Sequence, residues 1–478
     1  MKKKIRPCVL LILLVSFFLG MFALYGLGIY NDSDQYISMH IHREPLYPLF
    51  LAAFRSIFGS QYLTVVGVFQ NLLAAVSIWL TAEYLNRKFS LHFWEELVIT
   101  GLLLMPHFIT RYCSSLHLFI TSSIMSEALC LPLFILFLVE CFRILTENKK
   151  GPVWGALLLA FLLSLTRTQM MITVMMWTVI VLLKAVTDYT AQKKALINRV
   201  PAENGRRERR KLWFGITAAF VITLLVMSGR TLAVKSYNLV FNGHFINNTY
   251  GTVNLLTNML YAADREDGAY IADDTAREFF CRMYDLTEEK QANYKYAGTT
   301  IKEKTEHIEK WHDTIKFEMI EDVFYQTYDK TVTSDYITQN LMADETAGKI
   351  IKGILPHCFG RWLLNCLLII RYGLIRSIAV VHPVLNWAAL LLYLAAVLLS
   401  VLVILENRKE KRQASPAVWL MGIALLAIVA NAAAVSLTIM ALSRYMIYGF
   451  SMFYIALFLL ILTALRIQCI RYIWKIPV

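Results

Sequence analysis

The chain has 478 residues, of which 57% are hydrophobic and 17% charged, and its mean hydropathy is +0.52. Soluble domains of this size are rarely so apolar, so the composition excludes an ordinary soluble enzyme and points to an all-α polytopic membrane protein. The formal net charge of +13 does not imply nucleic acid as a partner, because Lys and Arg collect in short loops between apolar runs, where they set membrane orientation.

Met1 to Pro7 carries Lys2, Lys3, Lys4 and Arg6 ahead of an apolar run from Cys8 to Ile29. That run is longer than a signal-peptide core and long enough to span, so it is read as an anchor with its basic end cytoplasmic. Asn31 to Pro48 then emerges outside. The runs Tyr62 to Tyr84, Trp94 to His107 and Ser123 to Leu145 follow, with turns at Asn86-Arg87-Lys88, Arg111-Tyr112-Cys113-Ser114-Ser115 and Glu147-Asn148-Lys149-Lys150. Pro152 to Lys184 holds two short spans with an outer turn at Thr166-Arg167-Thr168. Lys184 to Lys211, with Lys193, Lys194, Arg199, Arg206, Arg207, Arg209 and Arg210, is the strongest inside signal.

Leu212 to Val234 leads out to the one long hydrophilic stretch, Lys235 to Gly360, which holds 20 of the 34 acidic residues. Arg361 to Val381 resembles a span, but Arg361, Arg371 and Arg376 recur through it. Counting it would put the basic loop from Glu406 to Arg412 outside, so an interfacial or re-entrant helix is expected there. Spans near Leu385 to Leu405, Pro416 to Met440 and Tyr445 to Leu465 bring the total to about ten, and the basic tail Arg466 to Lys475 ends inside, so both termini are cytoplasmic. Three regions result: 1–234, a transmembrane module containing the external loop 30–48; 235–360, an external soluble segment; and 361–478, an interfacial helix and the last spans.

No G-x-x-x-x-G-K-[ST], G-x-G-x-x-G or H-E-x-x-H occurs, so no nucleotide cofactor or zinc-protease motif is expected. The eight cysteines lack metal-site spacing. Cys281 and Cys358 share the hydrophilic segment and are read as free thiols, with one disulfide as the alternative.

The densest chemistry lies in Asn31 to Pro48. Asp32 and Asp34 suit a divalent cation or a general base; alternatively they cap the next helix. Arg43 suits a phosphate and Glu44 its orientation, against the alternatives of a snorkelling arginine and a helix-opening Glu44-Pro45 pair. Glu127, just inside the fourth span, calls for a cavity or a partner, and Arg167 is the candidate partner. Arg444 and Tyr445 precede the last span, where an aromatic belt would also account for Tyr445. With Arg111, Arg230 and Lys235, these charges fall at outer ends or in outer loops, as a cavity for an anionic, lipid-linked substrate requires.

This order of features resembles the membrane glycosyltransferases of the GT-C fold, in particular the bacterial family related to aminoarabinose transferases and protein O-mannosyltransferases. The resemblance rests on Asp32-Ser33-Asp34-Gln35-Tyr36 after the first span, Glu44-Pro45-Leu46-Tyr47-Pro48 before the second, Ser126-Glu127, Leu165-Thr166-Arg167, the external segment and Arg444-Tyr445. It covers the chain by topology; the interval from Asp32 to Pro45 is brief, and the common Glu-x-Pro-Pro is not reproduced. The resemblance implies a GT-C-like bundle with external juxtamembrane helices. It also implies inverting transfer of a sugar from a polyprenyl-phosphate donor to a lipid, polysaccharide or protein acceptor, on the extracytoplasmic side of the plasma membrane. Asp32 would then be the general base and Asp34 its assistant, or the two together a cation site. Arg43, Arg167 and Arg444 would hold the leaving phosphate, with Glu44, Glu127 and Tyr445 around the substrate. The rival reading is a transporter or flippase of a lipid-linked or anionic solute, although repeated halves and midplane charges are not evident.

Overall fold

The computed structural model describes residues 2–113, 117–197, 203–379, 385–410, 414–438 and 440–473. Ser114 and Ser115 of the expected outer loop, Arg199 of the basic loop, Val381, Lys411, Arg412 and Lys475 lie outside these residues, as do the side chains of Lys194, Arg206 and Arg207.

In chain order, α1 (Lys2–Tyr25) is followed by the short α2 (Ser33–Ile37), α3 (Leu46–Phe58), α4 (Tyr62–Phe89) and α5 (Phe93–Phe108). Next come α6 (Glu127–Thr146), α7 (Gly151–Ser164), α8 (Ile172–Ile197) and α9 (Glu203–Asn242). The hydrophilic stretch forms α10 (Gly251–Ala262), α11 (Asp274–Glu289), α12 (Ile301–Thr314) and α13 (Asp322–Thr331) before the long α14 (Tyr336–Ile378). The chain closes with α15 (Leu385–Lys409), α16 (Pro416–Thr438), α17 (Ser443–Met446) and α18 (Phe450–Ile473). Among the described residues there is no β-strand, only a bridge between Gly28 and Ser123.

Nine helical stretches among the described residues are long and apolar enough to cross a bilayer, the build of a polytopic membrane protein. Eight of them fall on expected spans. The remaining two expected spans are shorter: α5 has 16 residues and α7 has 14. At 1.5 Å per residue α7 measures about 21 Å, less than the roughly 30 Å hydrocarbon core. It packs with α6 and α8 as one three-helix group.

The ninth long stretch, Tyr336–Ile378, corrects an expectation. The segment from Arg361 is not a separate interfacial helix; it is the apolar half of a continuous 43-residue helix, α14. Its arginines pointed to an interface because their partners are remote in sequence. Arg361 Nη2 lies 2.7 Å from Asp267 Oδ2, and Arg376 Nη2 lies 2.7 Å from Glu309 Oε1. Pairing accounts for Arg361 and Arg376, whereas Arg371 is exposed, and a crossing here would still carry the basic end of α15 to the outer side.

The chain forms two compact units, one of Met1–Tyr237, Ser377–Ile428 and Ile447–Val478, the other of Asn238–Arg376 and Val429–Met446. In the first, α5 opens with Glu95 and Glu96, which draw in α18 and α1: Arg466 Nη2 lies 3.0 Å from Glu95 Oε2, and Arg6 pairs with Glu96. In the second, α10 to α14 share a core that includes Phe280, Met283, Ile320, Phe324, Ile350 and Ile354. Asp344 of α14 accepts from the backbone N–H of Tyr250 at 2.6 Å and from those of Thr252 and Val253 at 3.2 Å, satisfying the start of α10. Cys281 and Cys358 are free thiols.

Candidate functional site

The loop from Asn31 to Pro45 is built by two fastenings. Gly28 N–H donates to Ser122 O at 2.8 Å, and Ile124 N–H returns a bond to Gly28 O at 2.9 Å, which ties the chain leaving α1 to the segment leading into α6. Glycine eases this approach, since a Cβ at Gly28 would meet Leu118 and Ser123 closely, at 3.2 and 3.3 Å. Downstream, Leu46 N–H donates to Leu165 O at 2.9 Å, tying the start of α3 to the end of α7. Gly59, at φ 54, then separates α3 from α4. Tyr36, Tyr47, Leu51, Val66, Ile124 and Leu129 fill the core beneath the loop.

Asp32 occupies the N-cap position of α2, but its side chain makes no capping bond. It accepts from Arg43 Nη2 at 2.8 Å. Ser33 tightens the turn instead, accepting from Tyr30 N–H at 2.9 Å and donating to Ile124 O at 2.8 Å. Arg43 does not reach outward. Its Nε donates to Gln35 Oε1 at 2.9 Å, and its guanidinium lies 4.7 Å above the Tyr36 ring.

From Tyr36 the polar chain continues inward. The Tyr36 hydroxyl is 3.0 Å from Ser126 Oγ, which also accepts from Arg167 Nη1 at 3.2 Å. Arg167 Nη1 in turn lies 2.5 Å from Glu127 Oε1. The structure therefore joins Asp32, Arg43, Tyr36, Ser126, Arg167 and Glu127 in one connected chain. A second buried cluster sits beside it: Glu44 accepts from Thr168 Oγ1 at 2.8 Å and pairs with Arg230 of α9. Arg230 Nε also donates to Ser164 O at 3.4 Å.

The electrostatics follow from burial and from the paired signs. Burial pushes the Tyr36 phenol above its ordinary value, with Arg43 and Arg167 pulling the other way, so it stays protonated and able to donate. Burial, with Arg43 adding to it, pushes His40 below its ordinary value, which keeps it neutral at pH 7. Burial also opposes the charge on Arg43, but Tyr36 and Asp32 outweigh it and the group rises, with Arg167 working against it. The two guanidiniums thus repel each other while each is tethered by its own carboxylate. Between them lie the Tyr36 hydroxyl and Ser126 Oγ, which link the two cations through hydrogen bonds.

Not every expected site residue joins this chain. Asp34, in the first turn of α2, is exposed. Arg444 and Tyr445 belong to the second unit, where the Arg444 guanidinium lies 4.6 Å over the Tyr445 ring and within the field of Asp313. For a divalent cation the donor set fits poorly: Asp32 is bonded to a guanidinium, and among the described residues no three His, Cys, Asp or Glu side chains gather as a metal site.

Several contributors went without a role in the sequence reading. Gln35 and Ser126 are small polar residues inside recognised motifs, with nothing in their type to mark them. Arg230 gave a clear signal, a charge within an apolar run. Tyr448 is buried against Phe134, with ring centroids 5.7 Å apart, and lies in the field of Arg167 and Glu127. Comparison of the chain with protein-family models, with curated proteins and with solved structures gave no match.

Proposed function

We propose that the protein is a membrane glycosyltransferase of the GT-C type, moving a sugar from a polyprenyl-phosphate carrier to an acceptor on the extracytoplasmic face. The observation that supports this most is the convergence of Arg43 and Arg167, each tethered to a carboxylate, on Tyr36 and Ser126. A donor phosphate is the anion assigned to these two guanidiniums. Arg43 would leave Asp32 for the phosphate, and the released Asp32 carboxylate would take the proton of the acceptor hydroxyl. The acceptor oxygen then forms its bond to the anomeric carbon from the face opposite the phosphate, and the carbon–oxygen bond to the phosphate breaks with inversion. The bond pair stays on the departing polyprenyl phosphate, where Arg43 and Arg167 stabilise the developing charge. Glu127 and Glu44 hold Arg167 and the loop in register. The basic start of α1 favours a cytoplasmic N-terminus, with this loop outside.

The test is transfer by purified, reconstituted protein, using a panel of polyprenyl-phosphate sugars and native membrane acceptors, with wild type beside Asp32→Asn. The expected result is transfer by the wild type and at least a hundredfold loss in the variant with an unchanged melting temperature. Full transfer by Asp32→Asn would remove Asp32 as base. Translocation of the lipid-linked sugar across the vesicle without any transfer would replace this reading with that of a flippase.

A further inference from the structure

Helix α6 starts at the site, with Glu127, and runs for 20 residues to Thr146. Twenty residues rise about 30 Å, the thickness of a hydrocarbon core, so the far end of α6 meets the opposite water boundary. There the first unit holds a cavity of about 440 Å³. The loop between α6 and α7 supplies Lys149 and Lys150; α8 supplies Lys184 and Asp188, one turn apart on the same face.

The lining carries Lys149, Lys150 and Lys184 against Glu147 and Asp188, a small excess of positive charge. Lys184 Nζ is fixed at its rim, donating to Asn148 Oδ1 at 2.8 Å and to Asp188 Oδ1 at 2.7 Å. Lys149 and Lys150 are exposed, and Lys149 Nζ is no nearer than 3.8 Å to Glu147. Glu147 offsets them in part: its Oε1 accepts from Tyr84 at 3.0 Å and from Arg143 Nε at 3.4 Å, while Arg143 is shared with Glu140 at 2.7 Å. Helix α7 begins at this point, with Pro152 in its first turn, and directs the positive end of its dipole here. Ile144 and Val153 add apolar lining, and Trp154, exposed one turn into α7, is of the type that settles at the headgroup boundary.

We infer that this cavity binds the phosphate headgroup of an anionic phospholipid in the leaflet at this end of the bundle. Basic pockets between spanning helices suit such headgroups, and the acyl chains can lie along the apolar flanks of α7 and α8. The inference does not depend on the transferase reading.

The test uses the full-length protein in detergent, titrated with phosphatidylglycerol, phosphatidylcholine or inorganic phosphate, and read by native mass spectrometry and melting temperature. Wild type should retain phosphatidylglycerol over phosphatidylcholine, with a preference that weakens as salt rises. Lys149→Ala with Lys150→Ala removes two exposed ammonium groups and no hydrogen bond of the fold, and should weaken retention by roughly tenfold or more. Asp188→Asn should strengthen it. Equal retention of both phospholipids would overturn the inference, as would an unchanged preference in the double variant. Inorganic phosphate that raises the melting temperature as much and displaces the lipid would reassign the cavity to a free anion.

Discussion

In the first unit the Arg167 and Glu127 side chains are 15% and 2% exposed, and those of Arg230 and Glu44 are 10% and 4% exposed. In the second unit the Arg265–Asp285 pair has side chains 57% and 55% exposed. The residue types are the same, yet the energetics differ in kind. A buried pair has already given up the hydration of both ions, so its geometry must be kept for position as much as for stability. An exposed pair gives up little hydration and contributes little. The second unit also holds sheltered charge, at Arg376–Glu309 with side chains 19% and 28% exposed, so the contrast lies between kinds of pair.

The sharpest way to break that contrast is to strand one buried ion. Glu127→Ala leaves Arg167 without its carboxylate and should lower the unfolding free energy by about 3–5 kcal/mol, measured by denaturant unfolding in micelles. Glu44→Leu should cost a similar amount, whereas Glu44→Leu combined with Arg230→Met should cost clearly less than the two single changes added together. Strict additivity in that cycle would show that the pair is not coupled.

Arg43 is intermediate, its side chain 22% exposed beside Asp32 at 29%. Arg43→Ala should destabilise by only about 1–2 kcal/mol while raising the apparent KM for a lipid-phosphate donor. A variant equally damaged in stability but unchanged in donor affinity would assign Arg43 to the fold alone.

A pH effect separates the units next. In the second unit burial, with Asp322 adding to it, pushes the Glu321 carboxyl from 4.5 up to about 8. A raised folded-state value means that stability from this group is fully present below pH 4.5 and is lost as pH rises towards 8, since the unfolded chain ionises first. Melting temperature should therefore fall across that window, and Glu321→Gln should flatten the fall. An unaltered profile in the variant would show that Glu321 titrates normally. The smallest effect is expected at Arg265→Ala, which should leave the melting temperature unmoved because both partners face water.

Much of this division is legible in the residues themselves. Long apolar runs announce spanning helices, and charges at their ends, such as Asp32, Glu127 and Arg167, announce polar chemistry, because both signals are local. What stays hidden depends on distance. Arg361 and Arg376 looked unpaired because Asp267 lies 94 residues away and Glu309 on another helix. Asp32 and Asp34 are indistinguishable as a motif. Two residues apart at the start of α2 they face different ways, so Asp32 meets Arg43 while Asp34 faces water. Tyr36 and Ser126, which join the two charged pairs, become visible only when α2 and α6 are brought together.

The 43 residues of α14 rise about 65 Å, twice the depth of a hydrocarbon core. That is more than one crossing needs, and Pro356 stands inside the helix. It passes from polar to apolar residues along its length. At this point the hydrophilic helices are joined to apolar sequence through a helix and not through a loop, with Asp344 of its polar half holding the start of α10.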